Sequence, residues 1–228
     1  RDLHSFPTRR SSDLNAAYYG AKKAGEPLHI QYSYDNRSVV VVNSRHAPVS
    51  GLSAKVDLFS MDGTNRFSQT ATNLTAPGDG GRVTALTIPS AVSGLSTTYL
   101  ARLLLTDSPG TEVSRNVYWL STKADVIDYA NTDWFFTPTT GFADLKGLNG
   151  IPAATVSATA STSTAGDTTT TRVTLRNTSS GRQAALYLDA HVMTGSTPVL
   201  PISWNDNAVS LWPGESTTLQ RSDRKSVV

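Results

Sequence analysis

The sequence predicts an all-β protein made of two tandem immunoglobulin-like β-sandwiches. Seven runs with the alternating or β-branched pattern of strands lie within about 95 residues of the first half, separated by turn signals at short intervals. A second, threonine-rich segment with the same alternation begins near Ala153. One stretch ahead of the first strand, Asn15–Gly25, has the composition of a helix. A jelly roll or a small barrel fits the number of strands less well.

Asn15–Gly25 is predicted to form a short helix. The stretch is rich in alanine, Tyr18 and Lys22 stand four residues apart, and Gly25 is suited to a C-terminal cap. The dipeptide Glu26-Pro27 then ends the helix. A helix of this length is not stable alone in water.

The first sandwich is predicted over residues 26–122. Asp62-Gly63 and Ser108-Pro109-Gly110 are strong turn signals between its strands. Leu52, Val56 and Leu58 alternate on one side of a strand, while the run SVVVVNS suits a strand that is buried on both faces. The predicted strands are LHIQYSYD (28–35), SVVVVNS (38–44), LSAKVDLFS (52–60), FSQTATNL (67–74), RVTALTIP (82–89), TYLARLLLTD (98–107) and EVSRNVYWLS (112–121).

Residues 123–152 are predicted to be an aromatic connector. Its run GFADLKGL (Gly141–Leu148) is a candidate short helix, with Thr140 as the N-cap. Its apolar side chains are expected to pack on a sandwich flank as interface core, because stacking against sugar rings would require exposed rings. These side chains are Trp134, Phe135, Phe136, Phe142 and Leu148.

The second sandwich is predicted over residues 153–222. The run Thr169–Asn177 alternates around Val173 and Leu175, and Pro213-Gly214-Glu215 is a turn that leads into a strand. About 70 residues are fewer than the roughly 100 of a full immunoglobulin-like sandwich. We therefore expect the last one or two strands to be absent and one sheet edge to be unpaired.

The two ends of the chain are predicted to be foreign to the protein. Residues 1–14, RDLHSFPTRRSSDL, and 223–228, DRKSVV, are similar to translations of one common sequencing adapter in opposite orientations. The first is expected to be disordered; the alternative is a basic arm that binds nucleic acid or a membrane. Without these ends, 15 basic and 15 acidic residues remain of the 20 and 18 in the whole chain. The electrostatic argument for a nucleic-acid partner then disappears, and no apolar run is long enough for a membrane span.

Motifs of catalysis and metal binding are absent from the sequence. There is no cysteine, nucleophile elbow, phosphate loop or dinucleotide fingerprint, and His29, His46 and His191 are scattered. We expect no catalytic residue, no metal site and no cofactor in this chain. The acidic residues of the connector are interpreted as solvated loop charges or caps.

The run WNDNAVSLWPGE (Trp204–Glu215) is the most distinctive local motif. A tryptophan that stacks on sugar beside Asp and Asn hydrogen-bonding groups would make it a carbohydrate contact. The alternative, which the sequence favours, is a backbone-bonded turn at 205–207 with Val209 and Leu211 facing a core. The candidate carbohydrate contacts are Trp134, Trp204, Asp206, Asn207 and Trp212.

Four runs carry a resemblance to a known family over most of residues 15–219. They are YYGAKKAGEPLHIQYSYDNRSVVVVN (Tyr18–Asn43), GLSTTYLARLLLTDS (Gly94–Ser108), VSRNVYWLSTKAD (Val113–Asp125) and WNDNAVSLWPGE (Trp204–Glu215). They resemble the C-terminal part of bacterial exo-β-D-glucosaminidases of glycoside hydrolase family two. Related β-mannosidases end in similar sandwiches and are the alternative parent.

The resemblance implies a function for the parent and a role for this chain. Such enzymes are secreted and release glucosamine from chitosan with retention, using carboxylates in a (β/α)₈ barrel that two immunoglobulin-like domains follow. Residues 15–25 would then be the end of the last barrel helix, and no catalytic residue would lie in this chain. The implied partners are the catalytic barrel of the parent and, through direct contact, the polysaccharide. A free-standing carbohydrate-binding tandem and a purely structural tandem are the other hypotheses.

Overall fold

The computed structural model describes residues 16–199 and 202–224, which divide into two compact units. One unit spans residues 25–152. The other combines residues 153 onward with a helix that precedes the first unit in sequence, α1 (Ala16–Ala24). The helix predicted at Asn15–Gly25 is therefore confirmed over its described residues, and it packs with the C-terminal unit although 128 residues of the other unit intervene.

The unit 25–152 is a sandwich of two antiparallel sheets. One sheet has the strand order β1-β2-β5 and the other β4-β3-β6-β7, which is an immunoglobulin-like arrangement. Each of the seven predicted strands is confirmed. In chain order they are β1 (Leu28–Tyr32), β2 (Ser38–Asn43), β3 (Val49–Ser60), β4 (Asn65–Ala76), β5 (Gly81–Thr87), β6 (Thr98–Thr106) and β7 (Glu112–Ser121).

The core of this sandwich follows from the period-two pattern of its strands. Along β3, Leu52, Val56 and Leu58 point to the other sheet and are buried, because alternate side chains of a strand share one face. Val39 and Val41 of β2 meet them from the opposite sheet. Val40, on the other face of β2, is buried as well, as the β-branched run predicts.

The outer face of β3 carries a buried charge. Asp57 has no exposed surface, and its carboxylate accepts hydrogen bonds from Arg102 Nη2 at 2.7 Å and Ser68 Oγ at 2.7 Å. Lys55 Nζ lies 3.2 Å from the same carboxylate. Burial opposes ionisation of Asp57, but the hydrogen bonds and charges of these partners outweigh it and hold its pKa below the ordinary value.

The helix predicted at Gly141–Leu148 is wrong. The chain instead forms two short strands, β8 (Val126–Ile127) and β9 (Thr139–Gly141), which pair with each other, and a 3₁₀ turn at Lys146–Gly150. Thr98 fixes this turn, since its hydroxyl donates to Asp144 O at 2.8 Å and accepts from Gly147 N at 3.2 Å. Thr140 lies within β9 and is not a helix cap.

The C-terminal unit is also built from antiparallel strands. Its sheets are β10-β11-β16, β12-β15 and β13-β14. Leu175 and Leu219 of neighbouring strands are buried in one core with Leu211, Trp204 and Tyr19. The strands are β10 (Val156–Ala165), β11 (Thr168–Asn177), β12 (Ala185–Leu188), β13 (Met193–Thr194), β14 (Thr197–Pro198), β15 (Val209–Leu211) and β16 (Ser216–Arg224).

Each unit contains a fully buried asparagine at the end of a strand. Asn43 Nδ2 donates to Ala47 O at 2.9 Å and Ala76 O at 3.2 Å. Asn177 Nδ2 donates to Gln183 O at 2.8 Å and Leu211 O at 2.9 Å. In both, Oδ1 accepts from the backbone amide two residues later. The two units thus use the same hydrogen-bonding device, which sequence patterning did not reveal.

The predicted boundary at residue 222 lies inside a strand. The backbone of β16 continues through Asp223 and Arg224, which pair with Thr169 and Thr168. Residues 1–14 and 225–228 lie outside the described part of the chain, so an adapter origin for the two ends stays a prediction. The absence of final strands from the second sandwich also stays a prediction.

Candidate functional site

Two of the predicted carbohydrate contacts are core residues. Trp204 and Trp212 are only 3% and 5% exposed. Trp204 packs with Tyr19, Leu175 and Leu219, and the backbone amide of Trp212 donates to Glu215 Oε2 at 2.9 Å. A ring needs an exposed face to stack on a sugar. The structure therefore does not place either ring where it could act as a platform, and the prediction is corrected for both.

Asn207 is likewise a buried structural residue. Its side-chain Nδ2 donates to Ala190 O at 3.2 Å and to Asp189 Oδ1, while its Oδ1 accepts from Ala190 N at 2.8 Å. Asp206 Oδ1 accepts from the backbone amide of Asn207 at 2.9 Å. The backbone-bonded turn favoured by the sequence is thus the observed one.

Helix α1 is fastened to this turn by its polar side chains. Lys22 Nζ donates to Trp204 O at 3.3 Å and Asn205 O at 2.7 Å, and Lys23 Nζ lies 3.4 Å from the carboxylate of partly exposed Asp206. Burial raises the pKa of the Tyr19 phenol on the same helix, while a hydrogen bond from the Trp204 amide opposes that rise. Sequence reasoning missed this attachment; the only signal was an aromatic pair next to two lysines.

Trp134 belongs to an exposed apolar surface, which we call the aromatic loop (residues 126–142). Trp134 as a residue is 92% exposed, and Phe135 and Phe142 are 72% and 71% exposed. The sequence predicted that these rings pack on a sandwich flank, and that prediction is wrong. The exposed large side chains of the loop are Val126, Ile127, Tyr129, Trp134, Phe135, Phe136 and Phe142.

Hydrogen bonds hold the aromatic loop in one shape. Strands β8 and β9 pair at its base, and Asp128 N donates to Pro138 O at 2.9 Å. Asp133 Oδ1 accepts from the backbone amides of Phe135 at 3.0 Å and Phe136 at 2.7 Å. The Asp133 carboxylate thereby stabilises a tight turn in which the side chains of Trp134, Phe135 and Phe136 are exposed. Aspartate often stabilises loops in this way.

The aspartates of the loop make it acidic. Its residues 126–142 contain two aspartates, Asp128 and Asp133, and no lysine or arginine; Asp125 and Asp144 flank the loop, beside Lys123 and Lys146. The loop itself therefore carries exposed apolar rings and a formal charge of −2. Asp125 also supports the loop, because its Oδ1 accepts from Ala143 N at 2.7 Å.

Within residues 16–199 and 202–224, no three histidine, aspartate or glutamate side chains come together in a group that could hold a metal ion. Over the same residues, none of the helices has the length and apolar character needed to cross a membrane. The aromatic loop, with its exposed apolar side chains, is therefore the surface that we consider as a candidate functional site.

Comparisons with known proteins match this chain to one part of longer enzymes. Residues 134–227 match the family model described as "Exo-beta-D-glucosaminidase Ig-fold domain". The chain is 62% identical over 219 residues to an exo-β-D-glucosaminidase of Streptomyces avermitilis, covering 95% of this chain and 24% of that protein. The crystal structure of Amycolatopsis orientalis exo-chitosanase superimposes with a TM-score of 0.90 at 58% identity, covering 94% of this chain and 25% of the other. A complex of that exo-chitosanase with PNP-β-D-glucosamine gives a TM-score of 0.89.

The strand order and the family match define a class of protein region, an immunoglobulin-like β-sandwich region. More particularly, the chain is homologous to the C-terminal region of bacterial exo-β-D-glucosaminidases. The resemblance read from the sequence is thereby confirmed, and the chain spans 24–25% of the length of these relatives.

Proposed function

We propose that this chain is the accessory C-terminal region of a secreted exo-β-D-glucosaminidase and supports a catalytic portion that lies outside it. The observation that carries the proposal is 62% identity across 95% of this chain, combined with coverage of only 24% of the relative. Its substrate would be chitosan or chito-oligosaccharides, in keeping with the name exo-chitosanase of the Amycolatopsis orientalis relative.

The acidic side chains of the described residues support a non-catalytic role. A retaining glycosidase holds two carboxylates about 5 Å apart on a rigid scaffold. Asp57, the fully buried carboxylate, is instead bound by Arg102, Lys55 and Ser68. The loop aspartates Asp128 and Asp133 accept hydrogen bonds that shape their own loop.

The proposal is tested by hydrolysis of PNP-β-D-glucosamine. We expect the purified chain to be inactive and a full-length enzyme that contains it to be active. The full-length enzyme is a hybrid, in which this chain replaces the matching region of the Streptomyces avermitilis enzyme. Activity of the isolated chain, or an inactive hybrid beside an active parental control, would contradict the proposal.

Contact with the polysaccharide is a second candidate function, and the exposure of Trp134 is the observation that favours it. Asp206 is the other predicted contact whose side chain reaches solvent. Affinity electrophoresis in gels with and without chitosan tests this role. Retardation of the chain that Trp134→Ala removes would support it, and equal mobility in both gels would exclude it.

A further inference from the structure

We infer that the aromatic loop is a docking surface for the preceding, catalytic portion of the parent enzyme, an inference that rests on the proposed function. Exposed apolar surface of this extent on a soluble protein marks an interaction site. The partner that binds this surface must fit three features of the loop: its composition, the arrangement of its rings and its charge.

The composition of the loop fits a protein partner better than a sugar. Phe135 and Phe136 have no polar group, whereas sugar platforms combine a ring with side chains that hydrogen-bond to hydroxyl groups. Asp133, which precedes Trp134 in sequence, uses its Oδ1 to accept from the backbone amides of both phenylalanines. Adjacent aromatic side chains without polar groups are typical of the dry centre of a protein interface.

The ring geometry also fits insertion into an apolar pocket. The rings of Trp134 and Phe135 meet edge to face, with centroids 4.5 Å apart and planes at 72°. A perpendicular pair forms a ridge, whereas a pyranose ring stacks on a flat face. Because Asp128, Asp133 and the β8–β9 pair already fix the loop, little conformational entropy is lost when it docks.

The charge and the length of the relatives indicate where the partner lies. Asp128 and Asp133, with no lysine or arginine in the loop, favour a partner surface that presents lysine or arginine beside its apolar centre. The relatives extend well beyond the region that this chain matches, since the chain covers 24% of the Streptomyces avermitilis enzyme. That remaining portion is therefore the occupant to which we assign the surface.

The inference is tested in the full-length hybrid enzyme described above and in the isolated chain. The variant combines Trp134→Ser, Phe135→Ser and Phe136→Ser, and the matched control is Tyr34→Ser, which changes another exposed ring of the same unit. Thermal inactivation is followed for the hybrid, and thermal unfolding for the isolated chain. We expect the triple variant to lower the inactivation midpoint of the hybrid by several degrees and to leave unfolding of the isolated chain unchanged. The control Tyr34→Ser should shift the inactivation midpoint of the hybrid and the unfolding midpoint of the isolated chain by the same amount.

Other outcomes would overturn the inference. Equal behaviour of the triple variant in the hybrid and the isolated chain would show that nothing covers the loop. An unchanged hybrid, together with loss of retention on chitosan, would assign the surface to the polysaccharide. An isolated dimer that the triple variant dissociates, again with an unchanged hybrid, would assign it to a second copy.

A separate measurement keeps this test distinct from the proposed function. An inactive hybrid would contradict the accessory role. Even in that protein, the rate at which Trp134 is oxidised can be compared with its rate in the isolated chain. Protection in the hybrid would support docking. Equal reactivity would overturn it.

Discussion

The backbone amide of Trp204 donates a hydrogen bond to the phenol oxygen of Tyr19, 3.3 Å away, although 185 residues separate the two in sequence. Both side chains are buried in the core of the C-terminal unit. Helix α1 therefore contributes to a sandwich whose strands begin more than a hundred residues later.

Loss of the Tyr19 side chain should destabilise the C-terminal unit. Tyr19→Ala removes a buried ring and should lower the free energy of unfolding by about 3–5 kcal/mol. Tyr19→Phe removes only the hydroxyl and should cost about 1 kcal/mol. Urea unfolding followed by tryptophan fluorescence measures both. If the alanine variant is as stable as the parent chain, α1 is not part of this core.

The buried asparagines should act locally in their own units. Asn177→Ala leaves the carbonyls of Gln183 and Leu211 without their donor, and each unsatisfied buried group costs about 1–3 kcal/mol. Asn43→Ala should have the same effect on the other unit through Ala47 and Ala76. Hydrogen exchange resolved by residue should show each loss confined to one unit. If either variant increased hydrogen exchange equally in both units, the claim that each asparagine stabilises only its own unit would be contradicted.

The charge of Asp57 should make the sandwich sensitive to acid. Its pKa is lowered in the folded state, so its contribution to stability is complete above the ordinary carboxyl pKa and is lost as pH falls through the folded value. Asp57→Asn also leaves Arg102 and Lys55 without a counter-charge and should cost about 3–5 kcal/mol at neutral pH. Thermal unfolding between pH 2 and pH 7 checks both, with the more exposed Asp62→Asn as control. A variant with the acid sensitivity of the parent chain would contradict the assignment.

Tyr99 should make the sandwich sensitive to alkali. Burial raises the pKa of its phenol to about 12, above the ordinary value of 10.0. Its neutral form stabilises the fold below pH 10, and that contribution is lost as pH rises from 10 through 12. Absorbance titration of the phenolates and thermal unfolding at alkaline pH should both change in Tyr99→Phe. Identical alkaline unfolding of the variant would contradict the role of this group.

The strands were predictable because burial on one face imposes a period of two on the sequence. Leu52, Val56 and Leu58 illustrate this, and β2 shows the apolar run of a strand buried on both faces. The alternation does not say what covers the outer face, and so Asp57 with its partners Arg102 and Lys55 escaped notice. A salt bridge between strands requires the register, which sequence patterning does not supply.

The candidate site was harder to predict, because burial of a single aromatic residue depends on non-local packing. The sequence offers Trp204 and Trp212 as sugar contacts, yet both lie in the core. It offers Trp134 either as interface core or as a sugar contact, and Trp134 is exposed within this chain. The predicted helix at Gly141–Leu148 failed for a related reason. Hydrogen bonds of Thr98 to Asp144 and Gly147 determine that turn, and Thr98 is distant in sequence.

The most direct test of the accessory role is to read the source DNA upstream of the codon for Asn15. The proposed function predicts a continuous reading frame that encodes a βα-repeat barrel with a pair of carboxylates at strand ends, and a signal peptide far upstream. A start codon and signal peptide close to Asn15 would contradict it. The chain would then be a free-standing tandem of sandwiches.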